Sequence, residues 1–195
     1  MGRRLVLAES AHATVVSDCL RYADTEIGGV LPGRLLGNAY VVPFSIPAGP
    51  RAKRTADRFS PDWRWQQIFL DYLHARFHVD YIGDWHRHPG LYDEPSSHDL
   101  QTAREIVSAP SWNKTEALFP IVVIDGGKVR LRAYLMRRET LQFEEIPLEV
   151  VSDSDPRMTA VLTGMEATSN EVIDAPAGTV PTRRLRRHAA ARRFA

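Results

Sequence analysis

Apolar and polar positions alternate in short blocks along this chain, and the period changes from block to block. The run RRLVLAE (3–9) predicts a first strand. Ser10 then stands before AHATVVSDCLRYADT, where Val15, Val16, Cys19, Leu20 and Ala23 recur at helical spacing, so a helix capped by Ser10 follows. The segment EIGGVLPGRLL (26–36) is apolar and glycine-rich, as in a strand that needs close backbone approach or a bulge. NAYVVPFSIPAG predicts a second strand, with Pro43 and Pro47 placing it near a sheet edge, and RAKRTADRF reads as a polar loop. Ser60-Pro61 predicts a helix start, with the helix running to about His78 and burying a stripe of Trp65, Ile68, Phe69, Tyr72 and Leu73.

The second half continues in the same manner. VDYIGDWHRH (79–88) predicts a strand, PGLYDEPSS a turn-rich loop, and HDLQTAREIVSA a helix. ALFPIVVIDG reads as one nearly continuous apolar strand. KVRLRAYLMRRE alternates apolar and charged residues, as a strand with one wet face does, and Gly126-Gly127 between them signals a hairpin. LQFEEIPLEVV predicts a last strand. A mostly antiparallel meander with a few helices implies an α+β domain, layered αβα, over residues 1–151. From 152 to 195 the chain is turn-rich and weakly apolar, and its last thirteen residues carry six arginines and no acid. That stretch reads as a partly helical, then disordered basic tail.

Composition narrows the class without naming a function. The chain has 195 residues, 44% hydrophobic and 25% charged, which suits one soluble globular domain with a tail. A formal net charge of +1 gives no global field toward nucleic acid or membrane. Cys19 is the one cysteine, which excludes an internal disulfide and a multi-cysteine zinc site and points to a reducing, cytoplasmic location. No run approaches the roughly 18 apolar residues that span a bilayer, and Leu5 to Ala8 is too short for a signal-peptide core.

Chemistry concentrates in GDWHRHPGLYDEPSSHD (83–99). In a strand, residues two apart share a face, with Cα atoms roughly 6.6 Å apart. His86 and His88 can therefore reach one ion, while Arg87 points the other way. Asp99 would follow in the first turn of a helix. Two imidazoles, one carboxylate and an open position form a common catalytic zinc site. The same residues also fit a plainer pattern, because Ser96-x-x-Asp99 ahead of an apolar-periodic segment matches an N-terminal capping box. From spacing alone, the two patterns stand side by side.

The whole spacing carries more. His86-x-His88, seven residues, Ser96, two residues, Asp99 resembles the signature of the JAMM metalloproteases, also called the JAB or MPN-plus family, and Pro89 after the second histidine also matches. Upstream, Glu26-Ile27-Gly28-Gly29-Val30-Leu31-Pro32-Gly33 looks like that family's glutamate element. The resemblance spans about residues 3–150. It implies a cytidine-deaminase-like αβα layer, with Zn2+ held by His86, His88 and Asp99. Glu26 would be the general base that activates water and later protonates the leaving amine, and Ser96 would help stabilise the oxyanion. Two positions depart from many relatives: Arg87 stands where Ser or Thr is frequent, and Asp84 where bacterial relatives often have Glu.

The implied activity is zinc-dependent isopeptidase or peptidase cleavage at the C-terminus of a ubiquitin-like modifier, by deconjugation or precursor processing. The WHRHP and PSSHD stretches resemble bacterial JAB proteins found beside ubiquitin-like activating and conjugating enzymes, including those of antiphage defence. The expected partners are a ubiquitin-like or sulfur-carrier modifier protein and its conjugate, with those neighbouring enzymes, and neither nucleic acid nor membrane. Other readings are release of an amino acid or sulfur product from a sulfur-carrier protein, a non-catalytic scaffold of the same fold, and a DNA-linked role like that of RadC proteins. His74 and His78, four apart on a helix, read as surface or helix-end histidines, Cys19 as a small buried hydrophobe, and Asp93 and Glu94 as solvated acids.

Overall fold

The structure, a computed structural model, describes residues 2–164; the arginine-rich segment 183–195 lies outside the described residues. β1 (Arg4–Ala8) leads into α1 (Glu9–Arg21), and β2 (Ile27–Leu36) and β3 (Ala39–Val42) follow. A hairpin of β4 (Lys53–Arg54) and β5 (Phe59–Ser60) precedes α2 (Trp63–Phe77). β6 (Asp80–Arg87) and α3 (Ser97–Ser108) flank the loop that holds the candidate chemistry. β7 (Glu116–Leu118), β8 (Ile121–Asp125), β9 (Lys128–Arg137), β10 (Phe143–Ile146), β11 (Leu148–Val151) and α4 (Pro156–Thr163) complete the described chain.

Nine strands form one mixed, mostly antiparallel sheet flanked by the helices, as the hydrophobic pattern implies. Its order is β10-β9-β7-β6-β2-β3-β1-β11, with β8 also joining β6 to β9. β6 is therefore central, antiparallel to β2 on one side and parallel to β7 and β8 on the other. Its interior position explains why Tyr81, Ile82, Trp85 and Arg87 are all buried.

Several expectations need correction, each for a local physical reason. Ser10 does not cap α1: the helix begins at Glu9, and the Ser10 amide and hydroxyl both donate to Asp153 from the far end of the domain. Pro43 does not push β3 to an edge, because the strand ends at Val42 and lies between β2 and β1. The polar segment at 51–59 contributes to a small hairpin rather than a loop. Ser60 belongs to that hairpin, and Asp62 caps α2 by accepting from the Trp65 amide. Pro120 divides the apolar run 117–126 into β7 and β8. Pro147 divides the supposed last strand into β10 and β11, which pair at opposite ends of the sheet order.

The α2 stripe needs the largest correction: of its residues, Leu73 is buried and Trp65 is partly buried against the core, but the other three turn outward. Gln66, Leu70 and Leu73 face the core, whereas Ile68 and Tyr72 are 67% and 62% exposed and Phe69 is exposed too. The helix carries apolar residues on two sides, so period alone does not choose the buried one. The Gln66 side chain donates to the Pro47 carbonyl at 3.0 Å, which satisfies a polar group on the inner face. At the far end, Met158 and Val161 of α4 are fully buried, so the packed chain extends beyond residue 151. No helix among the described residues is long and apolar enough to cross a membrane.

Candidate metal centre

The sheet register sets the two histidines. His86 pairs with Gly28 of β2 and with Ile121 of β8. Its amide donates to the Pro120 carbonyl at 3.0 Å, and the His88 amide donates to the Val122 carbonyl at 3.2 Å, so the segment 120–122 fixes both backbones. Their rings lie 4.4 Å apart at 73°. A Cβ on Gly28 would sit 2.6 Å from the Trp85 carbonyl oxygen and 3.0 Å from His86 Cβ. Glycine there lets β2 close onto β6 beside His86, the close approach its sequence suggested.

Asp99 arrives from α3. Ser96 is the N-cap and Asp99 is at the third helical position, and the two form a complete capping box. The Ser96 hydroxyl accepts from the Asp99 amide at 3.2 Å and donates to Asp99 Oδ2 at 2.7 Å, while the Ser96 amide donates to the same oxygen at 2.6 Å. His86 Nε2 is 3.4 Å from Asp99 Oδ1, and His88 Nε2 is 3.3 Å from Asp99 Oδ2. His88 Nδ1 lies 3.0 Å from the Tyr92 carbonyl. A proton on Nδ1 makes that bond and leaves Nε2 as a lone-pair donor, the usual arrangement of a metal-binding histidine.

These atoms fit a metal. One ligand atom from each of His86, His88 and Asp99 lies within 4.8 Å of the others, and no second such group occurs among the described residues. Bonds of ~2.0–2.1 Å in a tetrahedron separate ligands by about 3.3–3.4 Å. Both histidine–carboxylate separations match that edge, though each runs to a different carboxylate oxygen. They also exceed the ~2.7–2.9 Å of a strong charge-assisted hydrogen bond.

The electrostatics of His86 and Asp99 suit that donor set, whereas without an ion Asp99 favours a proton on His88. Burial pushes the His86 imidazole down to about 4, against the pull of Asp99, so it is neutral near pH 7 and able to donate a lone pair. Burial also opposes charge on His88, but hydrogen bonding to Asp99 and its charge outweigh it and raise the pKa. For Asp99, burial is overcome by His88, His86 and Ser96, which hold its carboxyl well below the usual range. Glu26 sits one residue ahead of β2, and its amide donates to the Thr55 carbonyl at 2.8 Å. Burial raises the Glu26 pKa, His88 lowers it and Asp99 raises it, so its carboxylate feels the cluster. The structure thus brings His86, His88, Ser96 and Asp99 together, and the pairing of Ile27 with Arg87 sets Glu26, 60 residues before His86 in the chain, at the same end of β6.

Other candidates resolve differently. Asp93 is not simply solvated: Arg132 Nη1 donates to its carboxylate at 2.9 Å, and the Tyr134 hydroxyl donates to its carbonyl at 3.1 Å. Arg132 also holds Glu145, so β9 and β10 together clamp the loop between His88 and Ser96. Nothing local in the sequence marks this clamp. Asp84 is pushed up to about 6 by burial and accepts from the Tyr81 hydroxyl at 2.7 Å. His74 lies 3.0 Å from the Val79 carbonyl, and His78 ends α2 in the left-handed region at φ 54°. Cys19 is fully buried, and burial pushes its thiol up to about 12, which suits an inert packing residue.

Comparison with known proteins gives the family of the chain. A family model described as "Prokaryotic homologs of the JAB domain" matches residues 8–138. A protein from Sinorhizobium fredii named "Probable metalloprotease y4qB" is 34% identical over 128 residues, covering 64% of this chain and 76% of its own. A "CD-NTase/cGAS isopeptidase" from Enterobacter hormaechei is 31% identical over 129 residues, covering 63% of this chain and 67% of its own. The solution structure of protein DSY2949 from Desulfitobacterium hafniense superposes with a TM-score of 0.61 at 17% identity. It matches 77% of this chain and 95% of that one, a likeness of fold.

Proposed function

The chain belongs to the prokaryotic homologs of the JAB domain and is a hydrolytic enzyme of the peptidase or isopeptidase kind, and on that premise we propose that it uses zinc to cleave the amide bond at the C-terminus of a ubiquitin-like modifier. The observation that carries this reading is the convergence of His86, His88 and Asp99 beside Glu26. When bound there, the metal supplies Lewis acidity toward water and toward the scissile carbonyl.

The protein groups do the rest. His86, His88 and Asp99 hold the ion, and the Tyr92 carbonyl orients His88. Glu26, whose burial makes it a stronger base than an exposed glutamate, takes the proton of the attacking water and returns it to the leaving amine. The water's oxygen ends on the carbonyl carbon, and the C–N bond breaks without a covalent enzyme intermediate. The single Ser96 hydroxyl proton is donated to Asp99 in this structure, so its role as oxyanion donor requires that hydroxyl to rotate.

The printed name of the Enterobacter relative supports an isopeptide substrate and a conjugation-system setting. The hairpin β4–β5 supports an extended substrate tail: its strands pair only with each other among the described strands, and it lies beside Glu26 through Thr55. A modifier tail added there gains main-chain hydrogen bonds. In this proposal residues 1–151 carry the catalytic chemistry, α4 packs on that unit without taking part in the chemistry, and the enzyme works in the cytoplasm.

Purified full-length protein, loaded with zinc and offered modifier fusions, tests the reading. It should bind about one zinc per chain and cleave the fusion, while Glu26→Gln keeps the metal and loses most of the rate. A chain that holds no zinc, or a Glu26→Gln chain as fast as wild type, would overturn it. Cleavage of only a sulfur-carrier substrate would move the substrate class.

A further inference from the structure

Arg87, between the two histidines, is the least explained residue of the site. It is 4% exposed, and it forms no ion pair among the described residues. Its Nη1 donates to the Thr25 carbonyl at 2.7 Å, and its Nε finds no partner. Burying a guanidinium without a carboxylate and with an unmatched N–H is costly. Strand alternation turns it away from His86 and His88, so it touches neither metal nor substrate.

The bond it does make lies next to the base. The β2–β6 ladder starts at Ile27, which pairs with Arg87. Glu26 is therefore outside the ladder, and the sheet alone does not fix it. Two bonds bracket it instead: Arg87 holds the Thr25 carbonyl in the peptide unit joining Thr25 to Glu26, and the Thr55 carbonyl holds the Glu26 amide of that same unit. A planar peptide gripped at both its C=O and its N–H has little freedom to turn.

We propose that Arg87 is a positioning residue for the reaction: its guanidinium, reaching from the strand that carries the histidines, locks the Thr25–Glu26 peptide so that the Glu26 carboxylate stays aimed at the metal centre. The proposal rests on Glu26 being the base.

A double-mutant cycle on the full zinc-loaded chain tests it. Arg87→Met keeps the length and the apolar stem but removes every donor. It should lower kcat about tenfold, with KM and bound zinc unchanged, because a displaced base slows the chemical step. Arg87→Lys, which retains a donor, should recover most of that loss. In a Glu26→Gln background Arg87→Met should cost nothing further; an equal loss in both backgrounds, or loss of zinc, overturns the proposal. If Arg87→Met does not fold, Arg87→Ala in the same cycle is read against the same criteria, with Arg87→Lys as the rescue.

Amide hydrogen exchange gives a readout that needs no activity. Arg87→Met should speed exchange of the Glu26 amide while leaving residues 97–102 unchanged. An unchanged Glu26 amide overturns the clamp even if the enzyme is active. A Glu26→Gln chain as fast as wild type instead overturns the role of Glu26, and exchange still decides whether the clamp exists.

Discussion

The two sides of the candidate site are built by different means. The ligand side, His86 to Asp99, is woven within fourteen residues: strand spacing aligns the histidines, and a capping box fixes the aspartate. The base side is Glu26, outside the sheet ladder and bracketed by two backbone contacts from distant residues. The first side is one strand–loop–helix held from outside by residues 120–122 and by Arg132, whereas the second depends on the register of β2 against β6. The ligand side should therefore fail by losing metal, and the base side by losing rate with metal in place.

The largest expected effect breaks the ligand side outright. Asp99→Ala removes a carboxylate that both histidines and Ser96 contact. It should abolish stoichiometric zinc binding and lower kcat/KM about a thousandfold or more. Metal analysis beside a cleavage assay checks this; retained zinc would remove Asp99 from the ligand set. Next comes Gly28→Ala, which acts through the contact between the sides. Its new Cβ meets the Trp85 carbonyl and His86 Cβ, so β2 must move from β6. A shift of the order of an ångström between base and metal would cost about a hundredfold in kcat. Zinc affinity should fall far less, and titration of both quantities would show whether the register or the ligands suffered.

A smaller effect measures how far the ligand side depends on its outside hold. Asp93→Asn weakens the hold of Arg132 on the loop that presents the Tyr92 carbonyl to His88. Outer partners of ligands typically change metal affinity tenfold or more, and about tenfold is expected here. A competitive chelator titration reads it. An unchanged affinity would show that the capping box and strand suffice without the clamp.

These contrasts also mark what the sequence disclosed. Strand spacing let His86 and His88 share an ion and put Asp99 in the first turn of a helix, but it equally made Ser96 and Asp99 a capping box, and the family resemblance chose the metal reading and gave Ser96 its role. Glu26 was legible through its resemblance to a family element, with Gly28-Gly29 supplying the physical reason for a close approach. The rest depends on partners far along the chain. Nothing near Arg87 announces Thr25, and nothing near Asp93 announces Arg132. Likewise α2 offers two apolar sides, and only its packing against β2, β6 and α4 decides that Leu70 is buried and Ile68 is not. Prolines were visible as residues but not in their effect: Pro43 follows an interior strand rather than marking an edge, and Pro147 lets one run serve both ends of the sheet order.

The smallest expected effect concerns Asp84, on the strand both sides share. Its carboxylate accepts the Tyr81 hydroxyl, and Tyr81 is buried with its ring 5.2 Å from that of Trp112. That bond directs the acid toward the start of β6, whereas His86 and His88 lie at its end. Asp84 would then support the strand and leave the metal alone. Tyr81→Phe removes the donor and leaves a buried acceptor unmatched, at a cost of about 1–2 kcal/mol in stability. Zinc affinity and kcat should stay within about twofold of wild type, since no ligand or base contact changes. Denaturant unfolding of the zinc-free chain gives the first quantity, and metal titration gives the second. A drop in zinc affinity well beyond twofold, with stability unchanged, would instead put Asp84 among the outer partners of His86, and the boundary between the two sides would have to be redrawn through the middle of β6.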